Sequence, residues 1–237
     1  MEKSHFDIEK ELVQQGFEVV IGTDEVGRGP LCGPVVASAV AYRDINFEMP
    51  EELEKQFDLI RDSKKLSEKQ REEIFDFIGE HFYVGIGLCD HETIDRINIL
   101  EASFLSMKKA IQELQRKIIK ERHSERSEGF NGSSATAQND KIVVLVDGNK
   151  EIPNLTMQQF AIVGGDKVSK SISAASIVAK VTRDRMMKEF AIKYPEYGLE
   201  KHMGYGTKIH MQALIEHGPC PIHRKSFGPV KKALKRA

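Results

Sequence analysis

The sequence predicts one mixed α/β domain followed by a helical C-terminal extension, and three observations predict it. Short apolar runs rich in valine and isoleucine alternate with longer segments whose apolar residues recur every three or four positions. Three strand-like runs fall close together near the N-terminus, with little between them except turns and one helix, which favours hairpin pairing over a purely parallel sheet. Later runs are continuously apolar and end in acids, the pattern of buried central strands. At 237 residues the chain is long enough for one good-sized core.

The elements follow in order. Val19 to Asp24 reads as a strand, and Val35 to Tyr42, starting after Pro34, as a second. Ser67-Glu68-Lys69-Gln70 has capping-box form and opens a charged helix through Phe75 and Ile78. Tyr83 to Leu88 is a third strand. Leu100, Phe104, Met107, Ile111 and Leu114 mark a long helix from about Ile97 to Ile119. The polar stretch Glu121 to Asp140 reads as a mobile surface loop. Ile142 to Asp147 and Phe160 to Val163 are strands. Ser169 to Tyr194 is helical and opens with small residues that permit close packing on a sheet. From Pro195 the tail carries Gly204-Tyr205-Gly206, a short helix from about Lys208 to His217 and a basic terminus. The expected organisation is a catalytic unit over residues 18–194 and a helical extension over 195–237, forming one structural unit.

Composition narrows the class. Charged residues make up 30% and hydrophobic ones 40%, an ordinary balance for a soluble globular protein. A net charge of −1 argues against wholesale coating of nucleic acid but leaves room for a local basic groove. Cys32, Cys89 and Cys220 are widely spaced and form no Cys-x-x-Cys, against a disulfide framework or a thiolate zinc site. With no apolar run of signal-peptide or membrane-span form, a cytoplasmic protein is expected.

The chemistry concentrates in acids at strand ends: Asp24-Glu25, Asp147 and Asp166. Such ends can converge on one side of an α/β sheet although they lie far apart in sequence. Four carboxylates gathered there would repel one another unless cations neutralise them. Oxygen donors without histidine or cysteine point to magnesium or manganese. Two such ions about 4 Å apart suit in-line attack on a phosphodiester. Singly, each acid reads more simply as a helix cap or turn residue. Asp24 and Glu25 also pose a steric question, because neighbouring strand residues face opposite sides. Both reach one site only if the strand ends or bends there, and Gly27 supplies a place for that. The Gly27-to-Gly33 segment superficially matches a dinucleotide-binding loop, but Pro34 and a strand-like run follow instead of a helix. Gly27 and Gly29 would instead let backbone approach a sugar–phosphate chain, with Arg28 available for phosphate.

Taken together, these blocks closely resemble bacterial ribonuclease HII. They are Gly22-Thr23-Asp24-Glu25-Val26-Gly27-Arg28-Gly29, Asp62-Ser63-Lys64-Lys65-Leu66, Val146-Asp147-Gly148, Gly165-Asp166 and Ser173 to Asp184. His202 to Lys208 and His223-Arg224-Lys225-Ser226-Phe227 complete the series. They span about residues 18 to 229 in the family's order. The resemblance implies a ribonuclease H-like fold, a mixed sheet flanked by helices. It implies endonucleolytic cleavage of the RNA strand of RNA–DNA hybrids and incision 5′ of single ribonucleotides in duplex DNA, as in ribonucleotide excision repair. Cleavage would depend on Mn2+ or Mg2+, two ions during catalysis. Asp24, Glu25, Asp147 and Asp166 take the places of the catalytic and metal-holding acids. Gly27, Arg28 and Gly29 take that of the element sensing the ribose 2′-hydroxyl, the local mark that separates RNA from DNA. Tyr205 takes that of the tyrosine stacking on the following deoxyribose, and Lys64 that of a phosphate contact. The expected partner is nucleic acid rather than membrane, with a monomeric enzyme. Ribonuclease HIII is disfavoured, because about 17 residues precede the first strand.

The remaining polar clusters read as ordinary surface. His202, His210, His217 and His223 have no zinc-ligand spacing and read as surface or phosphate-contacting residues. Lys65, Arg224, Lys225, Lys231, Lys232, Lys235 and Arg236 read as solvated charges or backbone contacts on substrate. Asp184 competes as a metal ligand, although a salt-bridge role suits its helical setting better. A resolvase- or transposase-like DNA nuclease and a non-catalytic nucleic-acid-binding module remain the alternatives.

Overall fold

The computed structural model describes residues 4–44, 46–47, 50–61, 63–125 and 141–235. Five strands, β1 (Val19–Val26), β2 (Val35–Tyr42), β3 (Phe82–Cys89), β4 (Ile142–Asp147) and β5 (Gln158–Ile162), form one sheet in the order β3-β2-β1-β4-β5. β1, β2 and β3 pair antiparallel as expected, although two helices and not one lie between β2 and β3, while β4 and β5 run parallel to β1. In chain order the helices are α1 (Asp7–Gln14), α2 (Glu54–Leu59), α3 (Glu68–His81), α4 (His91–Ile97), α5 (Ile99–Glu125), α6 (Lys170–Lys193), α7 (Leu199–His202), α8 (Lys208–His217) and α9 (Gly228–Leu234). Among the described residues no helix is long and apolar enough to cross a membrane.

The period-two alternation of the strands sorts side chains into two cores. Val20, Val40, Val143 and Leu145 face the apolar side of α6, with Ile172, Ala175 and Val178. Ile21, Ala37, Ala39, Val144 and Val146 face α5, with Phe104, Met107 and Ile111. Both helices press close to the sheet. A Cβ on Gly22 would stand 2.2 Å from the Ser171 carbonyl carbon of α6, and one on Gly87 2.0 Å from the Ser106 oxygen of α5. A third cluster, including Leu31, Cys32, Met187, Tyr197 and Leu214, packs the tail against the C-terminal half of α6 and the β1–β2 connection.

Several boundaries differ from expectation. The single helix expected over 97–119 is two helices, broken at Asn98 (φ 67°), whose Oδ1 accepts from the backbone N–H groups of Leu100 (2.9 Å) and Glu101 (3.1 Å). This side chain caps α5 locally while the chain turns. α5 then continues to Glu125, so the stretch read as loop from Glu121 begins as helix, and residues 126–140 lie outside the described residues. Asp62 of the Asp-Ser-Lys block and Arg236 also lie outside them.

Candidate active site

The parallel pairing of β1 with β4 ends at Thr23 opposite Val146. Asp24, Glu25 and Asp147 therefore project past the last shared rung, at the carboxyl ends of two adjacent parallel strands, where α/β sheets open a crevice. β1 does not end or bend at the acid pair as expected. It stays paired with β2 through Val26, and the chain turns only at Gly27 (φ 96°). The two carboxylates straddle the strand instead. Asp24 turns towards α6 and accepts a hydrogen bond from Ser176. Glu25 lines a cleft of about 150 Å³ with Leu100, Phe104, Asp147 and Lys150. With the β1–β4 pairing ended at Thr23, the charge of Asp147 acts on both.

Asp166 arrives from the other side. It is buried in the short turn Gly165–Lys167 that leads into α6. The Gly165 N–H donates to Asp147 Oδ1 (2.8 Å), joining the turn to the end of β4. A Cβ on Gly165 would meet Ile172 Cδ1 at 2.5 Å and Asp147 Oδ1 at 3.3 Å, so a larger residue there would make the Ile172 side chain shift. Lys64 Nζ stands 4.0 Å from Asp166 Oδ2 on an exposed side chain. The Lys64 turn is tied in by Ser63, whose Oγ lies 2.9 Å from that of Ser176, the donor to Asp24.

Electrostatics describe one strained group. Burial, then the charges of Glu25 and Asp147, holds the Asp24 carboxyl well above the usual range. Burial and Asp147 raise Glu25, against the pull of Arg28, whose Nη1 lies 3.0 Å from Glu25 Oε1. Burial and Asp166 raise Asp147. The donor atoms do not reach the mutual 4.8 Å spacing found for Cys32, His210 and His223 among the described residues. Four oxygen-donor acids, three of them perturbed by burial and by each other, form a set that fits hard divalent cations.

Beside the acids, the Gly27-Arg28-Gly29 turn is held from behind. Arg224 Nη2 donates to the Gly27 carbonyl (2.6 Å), Nη1 to those of Pro30 (2.8 Å) and Arg28 (3.1 Å), and Nε to that of Gly33 (3.0 Å). Arg183 donates to the carbonyls of Pro34, Met203 and Cys32. Both arginines are fully buried. Arg224 is thus a structural clamp and not the solvated charge expected of it. The Tyr205 ring is 44% exposed and lies against Gly29, 3.4 Å from where a Cβ there would stand.

Other expectations need correction. His202, His210 and His223 are buried, and only His217 of the four is on the surface. Asp184, by contrast, has the salt-bridge role expected of it, with Lys180 (2.8 Å). The clamp of Arg183 and Arg224 and the Ser63–Ser176 link went unread in the sequence. Arg183 did leave a signal: it lies on the row Ala175, Ala179, Arg183, Met187, Ala191 of α6, every other member of which is apolar and buried.

A mixed five-stranded sheet with acids at its central strand ends defines the ribonuclease H-like class, and solved structures agree. The ribonuclease H2 of Pyrococcus horikoshii OT3 superposes with a TM-score of 0.60 at 24% identity, over 92% of this chain and 98% of that one. Bst-RNase HIII in complex with Mn2+ gives 0.63 at 17% identity, over 95% of this chain and 72% of that one. The family model for ribonuclease HII matches residues 21–230, and the chain belongs to that family. It is 41% identical to ribonuclease HII of Caldicellulosiruptor saccharolyticus over 96% of this chain and 95% of the relative. To that of Bacillus subtilis it is 46% identical, over 92% and 72% respectively. The protein is therefore a metal-dependent endoribonuclease of the ribonuclease H type, acting on RNA–DNA hybrids.

Proposed function

We propose that this enzyme also incises duplex DNA on the 5′ side of a single embedded ribonucleotide, leaving a 3′-hydroxyl and a 5′-phosphate. The observation that carries this reading is adjacency: the acid group, the Gly27-to-Gly29 turn and the Tyr205 ring line one continuous edge. Asp24, Glu25, Asp147 and Asp166 would hold two Mn2+ or Mg2+ ions, which when bound supply an activated water and neutralise charge at phosphorus. Burial and neighbouring carboxyls raise three of these groups, so protons compete with divalent cations there and cation binding strengthens as pH rises.

The chain's own groups do the positioning. Gly27 and Gly29 carry no Cβ, so their backbone can approach a ribose and read its 2′-hydroxyl. Arg28, pinned near Glu25, faces the phosphates. Tyr205 offers a flat exposed ring to the next sugar. Lys64 offers a charge to the backbone. Residues 195–237 then serve as a substrate-binding extension of a monomeric, cytoplasmic enzyme.

A nicking assay tests the reading with three duplexes: all-DNA, one-ribonucleotide and full RNA–DNA hybrid, each with Mg2+ and with Mn2+. The expected result is a single nick 5′ of the ribonucleotide, hybrid cleavage, and no cut in all-DNA. Asp147→Asn is expected to lower both activities by more than about 100-fold while keeping a cooperative melt. Cleavage of the hybrid alone would remove the junction activity, and near-normal rates in Asp147→Asn would remove the assignment of the acids.

A further inference from the structure

The tail buries a histidine pair that the reaction does not use. His210 Nε2 lies 3.0 Å from His223 Nε2, and both side chains are fully buried. The outer bond to Tyr205 fixes the tautomers. A carbonyl can only accept, so His210 Nδ1 carries the proton it donates to the Tyr205 carbonyl (3.0 Å). That bond leaves His210 Nε2 bare, so His223 carries its proton on Nε2 and its Nδ1 is the acceptor that faces the Cys220 N–H (3.0 Å), with Cys220 Sγ at 3.1 Å and the Cys220 carbonyl at 3.3 Å. His223 Nε2–H must then donate to His210 Nε2. One unbroken chain of donors runs from Cys220 through both rings to the backbone of Tyr205.

The cluster invites a metal reading, since Cys32 Sγ also lies within 4.8 Å of both rings. Its donors are committed elsewhere: both Nε2 atoms bond each other, and burial pushes the Cys32 thiol up to about 12. The end point at Tyr205 is the more informative feature. Met203 and Gly204, just before it, are both left-handed (φ 49° and 83°), a strained turn for Met203 that persists only where the surroundings dictate it. Arg183 holds the Met203 carbonyl, the Leu31 N–H holds that of Gly204 (2.8 Å), and that of Tyr205 accepts from both His210 (3.0 Å) and the Thr207 N–H (2.8 Å), the first a tie from another element and the second a turn within its own loop. The His202 ring stacks on His210 at 4.7 Å and keeps it in place.

We propose that His210, braced by His223, is a positioning residue that sets the Tyr205 ring against Gly29 and thereby tunes how strictly the ribonucleotide junction is read. This rests on the role given to Tyr205 above. An asparagine amide reproduces Nδ1 and a glutamine amide Nε2, so the two replacements separate the ends of the ring. His210→Asn keeps the donor to Tyr205, and its KM for a one-ribonucleotide duplex stays within about twofold of the parent. His210→Gln keeps only the contact with His223 and raises that KM about tenfold, the loss of one well-made hydrogen bond. Hybrid cleavage and kcat change less.

The deciding measurement is a double-mutant cycle with Tyr205→Ala, with thermal melts alongside. His210→Gln is expected to add nothing once the Tyr205 ring is gone. A full additional loss in that background, or equal losses in both His210 variants that follow their melting temperatures, would overturn the proposal. So would a neutral His210→Gln beside a harmful Tyr205→Ala. If Tyr205→Ala is itself neutral, the role of Tyr205 fails and the proposal with it. Should His210→Gln not melt cooperatively, His223→Asn cuts the chain one bond further back and is read in the same way.

Discussion

The acid group and the turn beside it are built on opposite principles, although Glu25 and Gly27 are two residues apart. The acids are mutually repelling: Asp24, Glu25 and Asp147 are held above their ordinary range by burial and, for each, by at least one neighbouring carboxyl. The turn is saturated, its carbonyls taken up by two buried arginines. Among the described residues, the first region leaves its repulsion uncompensated by the protein's own charged groups apart from Arg28 and Lys64. The second is finished before substrate arrives. Under the proposed roles, with the turn reading the ribose and the acids holding the ions, this division means that the recognition surface needs no reorganisation while the catalytic surface would form only with its ions.

The contrast is broken most directly at Arg224. Replacing it with methionine keeps the bulk and removes donors to four carbonyls in a dry interior. Each carbonyl left without a partner costs about 1–3 kcal/mol, although relaxation of the turn recovers part. The expected loss is on the order of 4 kcal/mol in urea unfolding, among the larger effects of single substitutions. A loss under about 1 kcal/mol would mean the turn is not held from behind.

At the acids the sign reverses. Asp24→Asn removes a buried charge from a repelling group, so the metal-free variant is expected to gain about 1–2 kcal/mol while losing activity. The pH dependence follows from the same shifts. A carboxyl with a raised folded pKa keeps its proton to higher pH in the folded state than in the unfolded chain. The folded state therefore binds more protons, and stability falls as pH rises from about 4 through the raised values of Asp24, Glu25 and Asp147. Metal-free melts from acid to neutral pH are expected to show that fall, with a shallower slope in Asp24→Asn. Saturating Mn2+ adds stability to the parent by binding the folded state and erases the variant's advantage. Melts independent of pH would show that the acids are not strained.

The two regions were also unequally legible in the sequence. The acids are local signals, each closing an apolar run, and parallel pairing of β1 with β4 brings two of those ends together. That β1 runs on regularly past Asp24 and Glu25, so that the pair straddles the strand, was not legible, because it depends on pairing with β2 through Val26 while the pairing with β4 stops at Thr23. The clamp was harder still. Arg224 sits in a basic tail where solvation is the ordinary expectation, and its burial depends on Leu31 and Cys32 meeting α6 in a separate core. His210 and His223 are thirteen positions apart, and their bond depends on the path of the chain from α8 back to Cys32. Periodicity reads what a segment does with its own neighbours, whereas the clamp and the histidine pair are contacts between segments.

The smallest expected effect probes the border between the two regions. Lys64 is exposed and reaches Asp166 only at 4.0 Å, a pairing that solvent screens heavily. Lys64→Ala is therefore expected to leave stability within about 0.5 kcal/mol of the parent. If the side chain meets a backbone phosphate, its loss weakens duplex binding and lowers the slope of log affinity against log salt by about 0.9. If it serves only to offset the acid group, the salt slope stays as it was, and the change shows in metal affinity. Binding titrations at several salt concentrations, with Ca2+ in place of the catalytic ion, separate the two outcomes. The first places Lys64 with the recognition surface, and the second makes it part of the acid group's own neutralisation.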